Sequence, residues 1–249
     1  STDEATVAET LFEPDVPGRY FFLLQVDDGQ DITEATTYIT VEGPPTAIAG
    51  PDRNFPVGSG SVTLDATDSF DPDGDAISSY EWELLSNPTQ SGTTTGTSNI
   101  TSNGDGTASF VPDALGPFGF RVTVTAGGQT ATDEVIVTVV PNASAGSDLS
   151  GTAGSAIILD GTASTEGTTD YSVSYSWTIA AKPSGSSLSV GEEVASSASG
   201  TFTPDVGGNY ALTLTVTAET TDLAQQNYSS TDSLLITEAA PDDTSSGEG

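Results

Sequence analysis

One short motif recurs three times along the chain and leads each time into a run of alternating apolar residues. The copies occupy residues 12–20, 110–118 and 202–210. After each copy the apolar residues fall on every second position, as at Leu212 and Leu214. Alternation with a period of two is typical of a β-strand with one buried face. A repeat of about 95 residues, with several such strands and no amphipathic helix, predicts a row of two-sheet β-sandwiches.

The repeat divides the chain into four parts. Two parts hold a complete set of predicted strands, one holds half a set, and one is an acidic tail or linker. In chain order the boundaries are 1–43 for the half set, 44–140 and 141–238 for the complete sets, and 239–249 for the tail.

The first part lacks counterparts of the strands that begin the two later repeats. Its strands are expected over approximately residues 6–12, 19–26 and 36–41. Half a sandwich cannot bury its apolar face, and it leaves open sheet edges. We therefore expect the complement to come from the rest of the same polypeptide or from other copies of the chain. The first residue is Ser1 rather than Met, so the chain is expected to be a processed product or a piece of a longer protein.

The composition excludes several classes of protein. The chain has 36 acidic and 4 basic residues, a net charge of -32, and neither His, Cys nor Met. Without His and Cys there is no Ser-His-Asp or Cys-His machinery, no zinc site built on those residues and no disulfide. Four cations cannot neutralise a nucleic-acid backbone, and no run of about 20 apolar residues is present to span a membrane. We expect no enzyme, no nucleic-acid partner and no membrane insertion in this chain.

The same charge predicts the setting in which the chain works. A folded protein with a net charge of -32 repels itself unless counter-ions screen the charge. At about 1 M salt the Debye length is only about 3 Å, so screening is then nearly complete. The composition favours a secreted or cell-surface protein in a high-salt, halophilic environment, and an ordinary acidic secreted protein is the alternative.

Several segments resemble one known family. Residues 47–52, 63–75, 80–82 and 110–113 resemble the PKD (polycystic-kidney-disease) repeat, and residues 181–187 resemble a variant common in bacterial and archaeal surface proteins. The resemblance implies an all-β fold of tandem immunoglobulin-like (PKD) β-sandwiches, the first one only half present. It also implies extracellular modules that serve as spacers, adhesive units or accessory domains.

These observations predict a non-enzymatic structural or adhesive repeat protein. The sharper hypothesis is a unit of a cell-surface filament or surface layer that assembles through the incomplete first sandwich. The alternatives are an accessory binding or spacer module of a large secreted hydrolase, and a carbohydrate-binding module.

One turn of the middle repeat is crowded with carboxylates. They are Asp65, Asp68, Asp71, Asp73 and Asp75. Five like charges repel one another unless a cation lies among them, and oxygen ligands on a flexible turn suit Ca²⁺. The PKD resemblance implies calcium near this turn, with Asp71, Asp73 and Asp75 as its ligands. The alternative is a solvated acidic turn in a salt-adapted protein.

Two tryptophans and three sequons complete the candidate residues. Trp82 and Trp177 lie within alternating strands and are expected in the core between the sheets, with a sugar-stacking platform as the alternative. The sequons predict N-glycosylation at Asn99, Asn142 and Asn227.

The first repeat also carries apolar residues on its outward strand positions. These are Phe21, Leu23 and Tyr38, where the later repeats carry mostly small or polar residues. Neighbouring exposed aromatic residues on so acidic a chain usually mark an interface. We expect this face to pack against another protein surface.

Overall fold

The computed structural model shows β-strands as the regular elements of the chain. The residues that the structure describes are 9–89, 91–165, 167, 171–219 and 226–238. Within these ranges no helix is long and apolar enough to cross a membrane. The predicted tail, residues 239–249, lies outside the described residues.

The first unit is a two-stranded antiparallel hairpin. Strand β1 (Gly18–Asp27) pairs with β2 (Ile32–Val41), with Phe22 opposite Thr37. These strands contain the two predicted over residues 19–26 and 36–41, although β2 begins earlier than expected.

The middle unit folds as two sheets that face each other. Its strands are β3 (Arg53–Pro56), β4 (Val62–Asp65), β5 (Ile77–Ser86), β6 (Thr101–Ser102), β7 (Thr107–Phe110), β8 (Gly116–Ala126) and β9 (Gln129–Val140). The larger sheet has the order β3-β9-β8-β5 and the smaller one the order β4-β7-β6. Strand β3 pairs with β9 in parallel, and the remaining pairs are antiparallel. The core between the sheets contains Leu64, Trp82 and Phe110, all buried.

The third unit repeats this plan. Its strands are β10 (Leu149–Gly151), β11 (Ile157–Asp160), β12 (Ser172–Ala181), β13 (Glu193–Ala195), β14 (Ser199–Phe202), β15 (Tyr210–Glu219) and β16 (Tyr228–Glu238). The sheets have the orders β10-β16-β15-β12-β13 and β11-β14. The chain is therefore a row of immunoglobulin-like sandwiches in which β1 and β2 correspond to the last two strands of a unit.

Burial of equivalent positions shows what the first unit lacks. In β8 the inward residues Val122 and Val124 are 0% exposed, because the smaller sheet covers them. The pairing registers make Leu24 and Val26 their counterparts in β1, and these side chains are 62% and 57% exposed. The hairpin therefore presents the inner face of a sandwich without the sheet that would cover it.

Phe12 differs from its counterparts Phe110 and Phe202. Those two residues end β7 and β14, which pair with β4 and β11. The described residues of the first unit contain no counterpart of β4, so residues 9–12 have no strand to pair with and do not form the strand expected over 6–12. The ring of Phe12 packs instead on Tyr20, with the ring centroids 4.8 Å apart.

The motifs at the start of each complete unit fasten the first strand to the last. Asp52 Oδ1 accepts a hydrogen bond from the amide of Ile136 at 2.7 Å, and Asp148 Oδ1 accepts one from Leu235 at 2.9 Å. Both carboxylates lie beside the parallel pairs β3–β9 and β10–β16. These aspartates therefore hold the first strand of each unit in register.

The middle and third units share an apolar junction. Leu115 of the middle unit is 0% exposed, and the core cluster of that unit includes Tyr171 and Ala218 of the third. Across the same junction the Thr165 hydroxyl donates a hydrogen bond of 3.0 Å to the carbonyl of Val57. This junction is therefore packed like a domain interior.

Candidate metal centre at the first junction

The first junction, between the hairpin and the middle unit, is acidic rather than apolar. Glu42 follows β2 directly, and Asp73 and Asp75 lie on the turn that precedes β5. One carboxylate oxygen from each of these three residues lies within 4.8 Å of the others. Among the described residues, this is the group of acidic side chains with the spacing to hold a metal ion. We call it the junction cluster.

The turn that carries Asp71 and Asp73 is shaped by its own side chains. The amide of Asp73 donates to Asp71 Oδ1 at 3.0 Å, and the amide of Gly74 donates to the Asp71 carbonyl at 3.3 Å. Gly74 has a positive φ of 97°, a conformation that residues with a Cβ rarely adopt. The turn therefore projects successive carboxylates towards the linker after β2.

Asp73 is the most buried member of the junction cluster. It is 4% exposed, and its Oδ2 accepts a hydrogen bond of 2.8 Å from the amide of Gly43. Its Oδ1 has no hydrogen-bond partner, and the same is true of Asp71 Oδ2. A buried carboxylate oxygen without a partner is costly, which points to a cation as the missing partner.

Close packing of Gly43 brings its amide to Asp73. A Cβ built on Gly43 would lie 2.3 Å from the Cβ of Pro17, so only glycine fits here without a shift. On the other side, a Cβ on Gly127 in the β8–β9 turn would lie 2.4 Å from Asp75 Oδ2. The cluster is thus flanked by the linker, the acidic turn and the β8–β9 turn, with Asp73 buried and Glu42 and Asp75 exposed.

The carboxylates of the junction cluster perturb one another. The pKa of Glu42 is raised, chiefly by the negative charge of Asp73 and then by that of Asp75. The pKa of Asp71 is raised and that of Asp73 is lowered, because their side chains face each other and compete for one proton. The Gly43 amide lowers the pKa of Asp73 further. The raised pKa values of Glu42 and Asp71 are expected where several carboxylates lie close together without a positive charge among them.

The four cationic side chains of the protein are engaged elsewhere. Arg121 forms ion pairs with Glu83 at 3.2 Å and with Glu134 at 2.7 Å. The other three contact Tyr38 (Arg19), the carbonyl of Thr63 (Arg53) and the carbonyl of Ser186 (Lys182). Since no lysine or arginine reaches the junction cluster, only an ion from solution could neutralise it.

The ligand set fits calcium. All donors are carboxylate oxygens, two of them buried and unpartnered, and hard oxygen ligands on a turn favour Ca²⁺ over softer metals. The junction cluster offers oxygens of Glu42, Asp73 and Asp75, and the unpartnered Oδ2 of Asp71 lies on the same turn.

Three of the predicted ligands lie outside the junction cluster, although one of them, Asp71, contacts Asp73 on the same turn. Asp65 Oδ1 accepts hydrogen bonds from the amide and hydroxyl of Thr67, at 2.9 and 2.7 Å, and these bonds lower its pKa. Asp68 lines a surface depression together with Asp65 and Arg53. Thr67 thus gives Asp65 a different partner, and the structure divides the five predicted carboxylates between the acidic turn and this depression.

The sequence did not predict Glu42 as a metal ligand, because Glu42 lies outside the acidic run of residues 65–75. The signal available was an acidic residue between an alternating strand and a Gly-Pro-Pro linker. At that position Glu42 lies at the end of the first unit, next to the middle unit. Its distance from Asp73 depends on how the hairpin meets the middle unit, which no local pattern encodes.

The two tryptophans occupy equivalent positions in the two complete cores. Trp82 is 3% exposed and Trp177 is 0% exposed. Their Nε1 atoms donate to the carbonyls of Gly106 and Ser197, each at 3.2 Å. Neither indole offers a face for stacking on a sugar.

The sequons differ in their surroundings. Asn99 is exposed, and its Nδ2 donates to the carbonyl of Thr94 at 2.9 Å. Asn227 is also exposed. Asn142 is half-buried, and its backbone forms a two-way bridge with Thr165.

The predicted interface residues form a patch on the outer face of the hairpin. Phe21, Leu23 and Tyr38 are 74%, 56% and 57% exposed. The rings of Phe21 and Tyr38 lie 6.1 Å apart, and the Arg19 guanidinium lies 4.8 Å from the Tyr38 ring centroid. We call these three apolar side chains the outer patch.

The fold and the acidic junction define the class of the protein: tandem immunoglobulin-like β-sandwiches, the first one half present. Residues 49–139 match the family described as K319L-like, PKD domain. The match therefore covers most of the middle unit and none of the other two units.

The most informative relative is a mouse protein. The dyslexia-associated protein KIAA0319-like protein of Mus musculus is 35% identical over 219 residues, which cover 82% of this chain and 20% of the relative. The chain thus spans about a fifth of the length of that relative.

Two solved structures show lower similarity. The solution structure of the PKD domain from the KIAA 1837 protein is 24% identical, covers 41% of this chain and 90% of that chain, and has a TM-score of 0.30. Domains 3–5 of the extracellular part of Drosophila OTK are 10% identical, cover 89% of this chain and 70% of that chain, and have a TM-score of 0.39.

Proposed function

We propose that this chain is a non-enzymatic structural or adhesive module of a secreted or cell-surface protein. The PKD match and the curated relative support an extracellular repeat module. In the finer form of the proposal, the module belongs to a bacterial or archaeal surface protein. There it builds a filament or surface layer through completion of the first sandwich.

The uncovered inner face of the hairpin carries this proposal. Leu24 and Val26 expose more than half of their side-chain surface on a chain of charge -32. Covering apolar surface stabilises a protein by about 25 cal/mol per Å². A second sheet over this face would therefore add substantial stability.

The complete units specify what the missing half looks like. In the middle unit Trp82 pairs with Val122, and in the third unit Trp177 pairs with Leu214. The equivalent position in β1 is Leu24, so the completing strand should place a tryptophan opposite Leu24. It should run antiparallel to β1, as β5 does to β8.

The other edge of the hairpin specifies a second strand. Strands β3 and β10 pair in parallel with β9 and β16, and their aspartates accept from the amides of Ile136 and Leu235. Tyr38 is the counterpart of those two residues in β2. The complement should therefore add a parallel strand beside Ile39 and an aspartate that accepts from the Tyr38 amide.

We propose that this complement comes from the rest of the same polypeptide or from another copy of the chain. The middle and third sandwiches already pair their own halves, so another copy of residues 44–238 supplies a free half only by exchanging strands. A half supplied by a neighbouring molecule would join subunits end to end, as in other assemblies that work by strand addition.

The outer patch supplies a second surface for assembly. Exposed aromatic residues next to an arginine are enriched in protein interfaces. Phe21, Tyr38 and Arg19 have this arrangement. We propose that this face packs on a neighbouring surface once the sandwich is complete.

We propose calcium as a structural ion and a salt-rich surrounding for the same module. The unpartnered oxygens of Asp71 and Asp73 support the ion. The net charge of -32 supports the surrounding, because screening lowers the self-repulsion of the folded state. The free energy of unfolding should therefore rise with NaCl concentration, whereas a protein adapted to low salt would show little change.

The test of the proposal is a chain in which the first sandwich is made whole. A copy of residues 44–109 replaces residues 1–11, so that it runs into Phe12 as the original runs into Phe110. We expect the amides of β1 and β2 to become protected from hydrogen exchange, and self-association of the parent chain to disappear. The matched control is the same chain with Trp82→Ala in the added copy only, which should protect the hairpin less.

Two results would overturn the proposal. One is a monomeric parent chain whose β1 amides already exchange as slowly as those of β8. The other is an added half that leaves both exchange and association unchanged.

A further inference from the structure

The junction cluster draws its oxygens from two units rather than one. Glu42 belongs to the hairpin, as the residue directly after β2, and Asp73 and Asp75 belong to the middle unit. The sequence placed the whole ion site on the turn of the middle unit. The structure brings in a ligand from the preceding unit, across the linker of residues 43–45.

The charges at this junction oppose contact between the two units. At least three carboxylates converge within 4.8 Å, and the buried Oδ1 of Asp73 has no partner. Like charges at such distances repel, and burial strengthens the effect because the local dielectric is lower. Without a cation, the junction should therefore favour separation of Glu42 from the turn.

The second junction shows how the protein fixes two units without an ion. There Leu115 is fully buried against the third unit, and a Cβ on Gly167 would lie 2.8 Å from Leu115 Cγ. The first junction has the Gly43–Asp73 hydrogen bond and the approach of Pro17 to Gly43. The first junction also brings together the carboxylates of the junction cluster, whereas the second buries the side chain of Leu115.

We propose that Ca²⁺ binds between Glu42 and the turn of Asp71, Asp73 and Asp75, and that it locks the hairpin at a fixed angle to the middle unit. Carboxylates that repel one another across the junction would then bind the same ion, which holds the two units together. The junction is then a hinge in the absence of calcium and rigid in its presence. This inference rests on the calcium ion proposed above and adds its effect on the shape of the chain.

The consequence concerns assembly. The hairpin is the half of a sandwich to which the completing half attaches. The angle between the hairpin and the middle unit therefore sets the direction in which the neighbouring unit extends. Calcium would therefore control whether successive units form a straight rod. The chemistry needed is that of a hard divalent cation with carboxylate ligands.

The test compares Glu42→Gln with Glu34→Gln in the full 249-residue chain. Each change removes one negative charge, from the residue directly after β2 in Glu42→Gln and from within β2 in Glu34→Gln. Glu34 lies at the end of the hairpin away from the junction, where its Oε1 accepts a hydrogen bond of 2.6 Å from Gln25 Nε2. Calcium binding is measured by titration calorimetry in molar NaCl. The angle is followed by small-angle scattering and by the distance between fluorescent labels on β2 and β9.

We expect Glu42→Gln to weaken calcium binding by at least about tenfold, because it removes a charged ligand. Calcium should narrow the label distance distribution in the parent chain and in Glu34→Gln, but not in Glu42→Gln. Asp75→Asn, at an exposed ligand, should act like Glu42→Gln. Circular dichroism melts would show that each variant is folded.

The outcomes separate the inference from the proposals on which it rests. If Glu42→Gln binds calcium as the parent does and shows the same narrowing, the lock is refuted while the site on the turn stands. A calcium concentration of about 10 mM is well above the dissociation constants of extracellular calcium modules. If the parent chain binds no calcium at this concentration, both the proposed calcium site and the proposed lock are refuted. Neither result bears on assembly through the first sandwich, which the completed chain tests separately.

Discussion

The amide of Gly43 donates a hydrogen bond of 2.8 Å to Oδ2 of Asp73, a residue thirty positions further along the chain. This bond joins the linker after β2 to the acidic turn of the middle unit. It also leaves Oδ1 of the same buried carboxylate without a partner. One side chain therefore both fastens the junction and leaves a buried carboxylate oxygen free to bind the proposed calcium ion.

Gly43→Ala should weaken this junction. The added Cβ would lie 2.3 Å from Pro17 Cβ, so the linker must shift away from Asp73. We expect faster hydrogen exchange of the residue 43 amide and weaker calcium binding, while hydrogen exchange in the strands of the third unit stays unchanged. Mass spectrometry of exchanged peptides measures the first effect. Unchanged exchange at residue 43 would mean that Pro17 moves instead.

Replacing Phe21 and Leu23 by serine should weaken assembly without unfolding the sandwiches. Both side chains lie on the outer patch, where they contribute no core packing. Sedimentation velocity in molar NaCl should show a smaller associated fraction at equal protein concentration. The control is Ile158→Ser, which alters an equally exposed apolar side chain in the third unit. Equal loss of association in the control would remove any special role for the outer patch.

Leu115→Ala should uncouple the middle and third units. Leu115 is fully buried at their shared junction, and truncating a buried leucine typically costs about 2–5 kcal/mol. In the parent chain we expect one calorimetric transition for both units, and in the variant two separated transitions. Val111→Ala, at an exposed position directly after β7, is the control and should keep a single transition. Two transitions in the parent would show that the junction does not couple unfolding.

Asp205→Asn should destabilise the third unit in a pH-dependent way. Asp205 accepts hydrogen bonds from Ser186, Tyr210 and Ser187, and these bonds lower its pKa well below the usual 3.8. A carboxylate whose pKa is lower in the folded state stabilises that state above the unfolded pKa, and the stabilisation is lost as the pH falls through the folded pKa.

The melting temperature of Asp205→Asn should therefore lie below that of the parent at neutral pH, with a gap that narrows below about pH 4. Thermal melts between neutral and acidic pH measure the gap. Glu219→Gln, which changes an exposed acidic residue of the same unit, is the control, and its melting temperature should stay close to that of the parent at neutral pH. A gap that is constant with pH would mean that Asp205 acts through packing rather than charge.

Glycosylation should favour Asn99 and Asn227 over Asn142. The first two are exposed, whereas Asn142 is half-buried and tied to Thr165 through its backbone. Peptide mass spectrometry of protein from a glycosylating host gives the occupancy of each site. Higher occupancy at Asn142 than at Asn99 would contradict this order.

Local sequence patterns, namely the alternation of apolar residues and the spacing of the three motifs, predicted most of the fold. The alternation in β8 and β15 placed Phe120 and Leu212 inside, and both are 0% exposed in the structure. The tandem-sandwich class followed from the spacing of the three motifs, because each motif leads into the same kind of strand. Residues 9–12 departed from the pattern, since a strand needs a partner and the described part of the first unit, from residue 9 on, contains no counterpart of β4.

The candidate site shows the limit of such patterns. The sequence by itself determined that carboxylates crowd the turn at Asp71, Asp73 and Asp75, and that no cation is nearby along the chain. Only the tertiary structure decided that Glu42 joins them and that Thr67 gives Asp65 a different partner. The physical reason is that alternation and turn propensity act between near neighbours. Electrostatic repulsion and coordination act through space, and they depend on which surfaces meet when the hairpin contacts the middle unit.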